Sequence, residues 1–287
     1  MRSVISASRR TDLPAFHLPC LLDAVRQGAA DVEGPFRAGQ VRRVSLRPDD
    51  VAWFVFWSRN YRAWLRHRDA FGDYRVAFHF TITAGHPLLE PGVPSADEAL
   101  RQAEGLARAY GGPRIFWRYD PIVVWQDADG VQTNHRQAVF ARLCRELGAL
   151  GVERCITSFA CWYGKVRARM RRLGLVPIDP APEEQCRVAS ELRDIAAAHG
   201  IAVAACCTAD LLAVPGIVPA HCIDGDLLSR LGGEPVSAEA APTREGCGCT
   251  KSVDIGSYAQ RCGYDCLTCY ASPSLRRFDS SDAASHT

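Results

Sequence analysis

The sequence predicts an α/β fold, a partial TIM-like barrel of six βα units, with a cysteine-rich C-terminal tail packed on its rim. Short apolar or β-branched runs alternate with amphipathic helical patterns as far as residue 207, as they do in repeated βα units. Several runs are apolar without alternation, which is typical of parallel strands covered on both faces. Eight of the 13 cysteines then follow residue 200. The predicted boundary separates a barrel of residues 1–207 from a tail of residues 208–287.

The six predicted strands are short apolar or β-branched runs bounded by polar or turn residues: Ser3–Ala7, Trp53–Trp57, Val76–Thr83, Arg114–Tyr119, Arg154–Phe159 and Ile201–Cys206. Helical spacing of apolar residues is clearest over residues 99–110 and 188–196. Six units are too few for the eight-fold barrel, so they form a partial barrel or an open sheet. Both arrangements bind ligands at the carboxyl ends of the strands.

Composition and charge exclude several classes of protein. With 47% hydrophobic and 23% charged residues, the chain is neither disordered nor fibrous. Its longest apolar runs, such as Val51–Trp57, are far shorter than the roughly 20 residues that span a bilayer. The net charge of +2 is too small to attract nucleic acid or a membrane to the whole molecule. Polar residues follow Ser8-Arg9-Arg10 where an export signal needs a hydrophobic stretch, so a cytoplasmic location is predicted.

Charged side chains follow two of the predicted strands at their carboxyl ends. Arg9, Arg10 and Asp12 come after the first strand, and Arg118 and Asp120 stand at the end of the fourth. On one rim such charges would repel or pair at a cost unless a polar ligand joined them. We therefore predict that the five residues bind a cofactor, and that Arg10, Arg118 and Asp120 also take part in the reaction. For Asp12 the alternative is a helix cap.

Three cysteines near the C-terminus have the spacing of a cluster-binding loop. Cys262, Cys266 and Cys269 are separated by three and then two residues, so one short loop can face three sulfurs inward. Three thiolates are enough for three irons of a [4Fe–4S] cluster and leave the fourth iron open. A closed cluster or a zinc site would need a fourth ligand from elsewhere in the chain. The spacing favours a [4Fe–4S] cluster with an open iron, and a closed cluster or a zinc site stays open as the alternative.

Four further cysteines, Cys206, Cys222, Cys247 and Cys249, form a second candidate metal site. Together they could bind a second iron–sulfur cluster or a structural zinc ion. The alternative is a group of unligated thiols in a small core. Cys207 is predicted to face away from Cys206, because side chains alternate along an extended strand.

The three-cysteine spacing resembles that of the radical S-adenosylmethionine enzymes, whose core is also a six-fold βα partial barrel. The resemblance implies that the open iron binds the amino and carboxylate groups of S-adenosylmethionine and that its reduction gives a 5′-deoxyadenosyl radical. It also implies a small-molecule substrate and a reductase or flavodoxin-type electron donor. Two features depart from that superfamily: the motif is C-terminal instead of following the first strand, and Thr268 stands where an aromatic residue is usual.

More closely, nearly the whole chain resembles the bacterial domain-of-unknown-function family 1848. The resemblance rests on Ile5–Asp12, Trp117–Pro121, Cys222–Gly225 and the tail from Cys247 to Ala271. It supplies no established reaction. It implies an iron–sulfur motif moved to the back of the barrel, where the cluster would close over the same rim. Arginines there would meet carboxylate or phosphate, and aspartates would bind ribose hydroxyls or orient the arginines.

Two functions of other classes remain open at this point. The first is an electron-transfer or sensing protein with fully ligated clusters and no reaction of its own. The second is a zinc-stabilised nucleic-acid-binding module that uses the basic helix from Trp162 to Leu173. A solvated surface is the usual meaning of such a helix.

Overall fold

A computed structural model describes residues 2–34 and 37–272 of the chain and contains 13 strands and eight α-helices in that part. The strands are β1 (Ser3–Ala7), β2 (Ala29–Gly34), β3 (Arg37–Ser45), β4 (Val51–Ser58), β5 (Val76–Thr81), β6 (Ile115–Ile122), β7 (Val124–Asp127), β8 (Gly130–Thr133), β9 (Arg154–Phe159), β10 (Val176–Ile178), β11 (Ala202–Ala205), β12 (Val218–Pro219) and β13 (Val253–Asp254). The helices are α1 (Leu13–Phe16), α2 (Leu18–Gln27), α3 (Arg62–Arg66), α4 (Ala96–Tyr110), α5 (Gln137–Ala149), α6 (Gly164–Arg172), α7 (Pro182–Ala197) and α8 (Gly225–Gly232).

The fold is α/β, as predicted, and its centre is a parallel sheet of eight strands flanked by helices. The strand order is β12-β11-β9-β6-β5-β4-β1-β13, and each neighbouring pair is parallel. All six predicted strands lie in this sheet, side by side in chain order, as β1, β4, β5, β6, β9 and β11. Their ends differ slightly from the prediction, because β5 stops at Thr81 and β11 stops at Ala205.

The order of the strands explains where the helices lie. When consecutive parallel strands are neighbours, right-handed crossovers all step in one direction and place their helices on one face of the sheet. Apolar side chains of α2, α4, α5 and α7 accordingly share a core with one face of the strands, for example Leu106 and Leu143 with Phe78 and Trp117. The other face, which includes Val55 and Phe116, packs against α8 and residues 220–249 of the tail. Both faces of the parallel sheet are therefore covered.

Two smaller sheets were missed by the sequence analysis. An antiparallel hairpin, β2 and β3, fills most of the connection between α2 and β4. A second antiparallel sheet, of order β10-β7-β8, joins β7 and β8, which follow β6, to β10, which follows α6. The hairpin lacks an apolar run, and its side chains at Val41, Arg42 and Arg43 are exposed. These strands therefore do not show the continuous apolar pattern that marked the strands of the main sheet.

The C-terminal tail crosses the sheet and returns to its first strand. After α8, the two-residue strand β13 pairs with β1, so that Ser6 stands opposite Asp254. Residues 256–272 then continue near the carboxyl ends of the strands, where Gly256 lies so close to Ser8 that a Cβ atom at residue 256 would be 2.1 Å from the Ser8 hydroxyl oxygen. Among the residues described, no helix combines the length and the apolar character needed to cross a membrane.

Candidate functional site

Strand β1 ends in a group of polar residues that Asp254 of the tail closes. The Asp254 carboxylate accepts hydrogen bonds from the hydroxyls of Ser6 (2.9 Å) and Ser8 (2.6 Å) and from the backbone amide of Arg9 (2.8 Å). It also pairs with the Arg9 guanidinium, since Arg9 Nε lies 3.4 Å from its Oδ2. The two-residue strand β13 gives no pattern in the sequence, so Asp254 was not predicted to belong to this site.

Two polar atoms at this end of β1 have no protein partner. Arg9 Nη1 and Thr11 Oγ1 are buried, and neither makes a hydrogen bond within the described part of the chain. An unsatisfied buried donor costs about 1–3 kcal/mol. A polar ligand bound at the rim would remove that cost. Arg9 is a predicted cofactor-binding residue, whereas Thr11 was not predicted.

Asp12 is a helix cap, which was the alternative weighed for it from the sequence. Its carboxylate accepts from the backbone amide of Ala15 in α1 (3.0 Å), from the Ser58 hydroxyl (2.8 Å) and from the backbone amide of Arg59 (3.0 Å). Burial raises the pKa of Asp12 to about 6, although these hydrogen bonds act in the opposite direction. Asp12 thus joins the ends of β1 and β4 through protein groups.

Arg118 and Asp120 form a buried ion pair at the end of β6. Arg118 Nε lies 3.0 Å from Asp120 Oδ1 and Nη2 lies 2.6 Å from Oδ2, a bidentate geometry. Ser158 donates a further hydrogen bond to Asp120 (3.2 Å). The third nitrogen, Nη1, donates to the Cys222 sulfur (3.1 Å). Burial lowers the pKa of Arg118, but the charges of Asp120 and Cys222 outweigh it and hold the pKa well above its ordinary value.

Arg10 contacts different partners from Arg118 and Asp120. Its Nη1 donates to the carbonyl oxygens of Gly256 (3.0 Å) and Glu33 (3.4 Å), and its guanidinium carbon lies 5.8 Å from the centre of the Tyr258 ring. These contacts connect the end of β1 to the tail and to β2. Of the three residues predicted for the reaction, the structure thus brings only Arg118 and Asp120 into direct contact.

A third ion pair at the rim, between Arg59 and Glu90, was not predicted. Arg59 Nη1 lies 2.7 Å from Glu90 Oε1, and Glu90 also accepts from the Thr83 hydroxyl (2.6 Å). Glu90 comes from the connection between β5 and α4, where no sequence pattern distinguishes it. The negative charges of Glu90, Cys266 and Asp120 raise the pKa of Arg59 despite its burial. Arg59 therefore interacts both with the acids of the rim and with the cysteine loop.

The loop that contains Cys262, Cys266 and Cys269 is attached to the carboxyl-terminal edge of the sheet. Its own backbone and the buried side chains of Tyr264 and Leu267 make the contacts. The Leu267 amide donates to the Leu89 carbonyl (2.8 Å), and the Tyr264 carbonyl accepts from the Gly92 amide (3.1 Å). The Tyr264 ring packs edge-on against Phe16, with ring centres 4.6 Å apart. A side chain at Gly92 would collide with the Tyr264 backbone at 2.9 Å. These contacts leave all three cysteines half-buried.

Arg169 of α6 holds the same loop from the other side. The guanidinium is buried and donates to the carbonyl oxygens of Leu267 (3.3 Å), Cys269 (2.9 Å) and Ser272 (2.7 Å). The sequence analysis treated this basic helix as a solvated or nucleic-acid-binding face, which is wrong for Arg169. The signal was present, because Arg169 follows Val166 by three residues and so lies on the apolar side of the helix.

The three thiols of the loop are close enough for their charges to interact. Burial raises the pKa of the Cys262 thiol, and the negative charges of Asp12, Cys266 and Cys269 act in the same direction. Cys266 in turn interacts with Arg59. The three predicted cluster ligands therefore lie together beside the ends of β1 and β4.

The other four predicted cysteines also meet, on the face of the sheet opposite the helices. The sulfurs of Cys206 and Cys222 are 3.5 Å apart, the Cys249 sulfur accepts from the backbone amide of Ile223 (3.5 Å), and Cys247 packs against the same core. Although burial acts to raise it, hydrogen bonds from Thr243 and Cys249 lower the pKa of Cys247 to about 7. We call Cys206, Cys222, Cys247 and Cys249 the four-thiol group.

The prediction for Cys207 is wrong. Its thiol interacts with the guanidinium of Arg244, which also donates to Cys206 (3.6 Å). Strand β11 ends at Ala205, and Cys207 has a φ of 52°, so the alternation of an extended strand does not reach it. Both cysteines therefore face the tail.

Throughout residues 2–34 and 37–272, no three His, Cys, Asp or Glu side chains meet as the ligands of one metal ion. An iron–sulfur cluster differs from a single metal ion, because each of its cysteine ligands binds a different iron. The thiols of a cluster site therefore need not meet at one point, but they must surround the volume that the cluster occupies.

The fold and this site define a class of α/β protein in which a cysteine-rich tail covers the carboxyl ends of a parallel sheet. The chain belongs to the family described as Domain of unknown function (DUF1848), which matches residues 4–271. This confirms the family predicted from the sequence. A comparison with curated proteins gives no match.

Proposed function

We propose that this chain is an iron–sulfur enzyme of the radical S-adenosylmethionine type, with a [4Fe–4S] cluster bound by Cys262, Cys266 and Cys269. The observation that carries the proposal is the return of the tail to the carboxyl end of β1. On either side of the three thiols, the Arg261 carbonyl oxygen lies 2.8 Å from His17 Nε2 and the Tyr270 hydroxyl donates to the Arg9 carbonyl (2.8 Å). Ligands of βα folds bind at this end of the strands. The sequential order of the six strands also supports a partial barrel, since every crossover steps in the same direction.

The donor set of the loop fits such a cluster. Thiolates are the usual ligands of iron–sulfur clusters, and three of them leave one iron open for a cofactor. The loop is held by backbone contacts to Leu89, Gly92 and Arg169, which fix its course independently of the sulfurs. When bound, the cluster would supply the electron that cleaves the sulfonium bond of S-adenosylmethionine into methionine and a 5′-deoxyadenosyl radical.

Residues of the rim would bind the cofactor and the substrate. Arg9 has a buried nitrogen without a partner, and a guanidinium is well suited to a carboxylate. Thr11 offers a buried hydroxyl on the same turn. Arg118 and Asp120 keep each other charged and oriented, so they would contact a polar substrate as a pair. The electron would come from a reductase or a flavodoxin-type donor.

Cofactor cleavage tests the proposal. Protein reconstituted with iron and sulfide and reduced with dithionite is expected to convert S-adenosylmethionine slowly into 5′-deoxyadenosine and methionine. Arg9→Ala should raise the cofactor concentration for half-maximal rate by about 10-fold or more, the loss of a charge-assisted hydrogen bond. Arg66→Ala, on an exposed part of α3, is the matched control. A cluster-loaded protein that forms no 5′-deoxyadenosine would contradict the proposed reaction.

An electron-transfer or sensing protein is the second candidate, and the four-thiol group is the observation that favours it. Four cysteines that contact one another beside Arg118 could hold a closed centre with no open coordination position. The zinc-stabilised nucleic-acid module receives less support. Arg169, one of the basic residues on which it rests, is buried against the cysteine loop.

A further inference from the structure

The four-thiol group brings together cysteines from separate segments of the chain. Cys206 follows β11, Cys222 follows β12, and Cys247 and Cys249 come from the tail after α8. Cys206, Cys222 and Cys249 are buried, while Cys247 is half-buried. All four pack in one small core; the sulfurs of Cys206 and Cys222 are 3.5 Å apart, and the Cys249 sulfur accepts a hydrogen bond from the backbone amide of Ile223, the residue after Cys222 (3.5 Å). Such proximity of four thiols is not required by the packing of an apolar core.

Backbone contacts fix these cysteines independently of their sulfurs. Thr250 donates its amide to the Ile223 carbonyl (2.9 Å) and accepts from the Gly225 amide through its hydroxyl (3.0 Å). The Cys222 carbonyl oxygen lies 2.6 Å from His79 Nε2. A Cβ atom at Gly248 would lie 2.3 Å from the His221 ring. The segments that bear Cys222 and Cys249 are therefore locked side by side over the sheet.

Two arginines point at the sulfurs. Arg118 Nη1 donates to Cys222 (3.1 Å), and Arg244 Nη2 donates to Cys206 (3.6 Å). A neutral thiol is a weak acceptor, whereas a guanidinium is a strong donor that suits anions. Four thiolates around a divalent centre would have a net charge of about −2. The two guanidinium groups offset a charge of this size, although the positive charge of Arg118 is also paired with Asp120.

We propose that Cys206, Cys222, Cys247 and Cys249 bind a second metal centre through four thiolates. The occupant is of the class that thiolates select, a zinc ion or an iron–sulfur cluster. The sulfurs of Cys206 and Cys222, 3.5 Å apart, are near the roughly 3.8 Å edge of a tetrahedron with Zn–S bonds of about 2.3 Å. Cys247 and Cys249 would have to move towards them when a single ion binds, because no three side chains of the described residues already meet at one ion position. This site is separate from the loop of Cys262, Cys266 and Cys269 and does not depend on the function proposed above.

The test uses the full chain without the loop thiols, so its outcome is independent of the first cluster. The variant C262A/C266A/C269A is purified anaerobically from cells supplied with iron and zinc, and its iron, sulfide and zinc are measured. We expect about one zinc or about four irons with four sulfides per chain. Adding C222A and C249A should lower that content at least 10-fold. Adding C20A and C186A instead, two thiols outside the group, should leave it unchanged.

Three results would overturn the proposal: a loop variant with neither metal, full metal content after the loss of Cys222 and Cys249, or a disulfide between Cys206 and Cys222. Zinc and iron each support it and are distinguished by the same analysis. If the five-alanine chain does not fold, X-ray absorption of the loop variant decides the question. Four sulfur neighbours around the metal support the proposal, and a shell of nitrogen or oxygen contradicts it.

Discussion

Replacing Cys266 by alanine is expected to lower the iron content by about four atoms per chain and to abolish cofactor cleavage. A [4Fe–4S] cluster with three cysteine ligands has no spare protein ligand, and the loss of one leaves only two. Cys266 also interacts with the charge of Arg59. Iron and sulfide analysis after anaerobic reconstitution measures the effect.

Cys20→Ala is the control for this experiment. Cys20 is an exposed cysteine of α2, so its removal tests whether the loss of any thiol lowers the iron content. The control should reconstitute like the unaltered chain. A Cys266→Ala protein that keeps its full iron and sulfide content would show that this cysteine is not a ligand.

Replacing Arg169 by methionine is expected to loosen the cysteine loop. Three carbonyl oxygens would lose a charged donor, and hydrogen bonds to charged groups contribute about 1.5–3 kcal/mol each. We therefore expect a loss of unfolding free energy of about 3 kcal/mol or more in metal-free protein, measured by urea titration. In the loaded protein, a chelator should remove iron several-fold faster.

The matched substitution Arg171→Met changes an exposed residue of the same helix. It removes the same charge and the same guanidinium but none of the contacts to the loop, so both measurements should stay near those of the unaltered chain. Arg169→Lys should recover part of the loss, because an ammonium can reach some of the carbonyls. Equal iron release from the two methionine variants would refute this role of Arg169.

The ion pairs of the rim explain how so many charges lie together at the strand ends. A ligand was predicted to join Arg9, Arg10, Arg118 and Asp120. The structure instead pairs Arg9 with Asp254 and Arg118 with Asp120, and Arg10 donates to backbone carbonyl oxygens. Pairing of this kind reduces the penalty of burying charge. Within the described part of the chain, Arg9 Nη1 and Thr11 Oγ1 are buried at the end of β1 without a hydrogen-bond partner, and they mark the part of the rim where a ligand would add contacts.

The main sheet could be predicted because its strands are apolar on both faces. Runs such as Val51–Ser58 have side chains in the helical core and in the opposite core, so a continuous apolar pattern results. The hairpin of β2 and β3 has no such pattern, and β13 is too short to have any. The contact between β1 and the tail therefore depends on tertiary packing that no local pattern records.

The candidate site was predictable to a similar degree. Cysteine spacing marked the loop of Cys262, Cys266 and Cys269 as candidate metal ligands, whereas the four-thiol group was predicted from the number of cysteines in the tail, with only the Cys247–Cys249 pair as a spacing signal. Asp254 and Glu90 are single acids in connections, and only the folded chain shows that they face arginines. Cys207 was misplaced because the strand before it ends one residue earlier than its apolar pattern suggests.

The proposed function depends most directly on an iron of the loop cluster that is open to the cofactor. Electron paramagnetic resonance of the dithionite-reduced protein, with and without S-adenosylmethionine, tests it. The measurement is made on a chain with C222A and C249A, so that the loop cluster alone contributes. A change in the spectrum on addition of the cofactor is the predicted result. A spectrum of a reduced [4Fe–4S] cluster that S-adenosylmethionine leaves unchanged would contradict the open iron and favour a closed electron-transfer cluster.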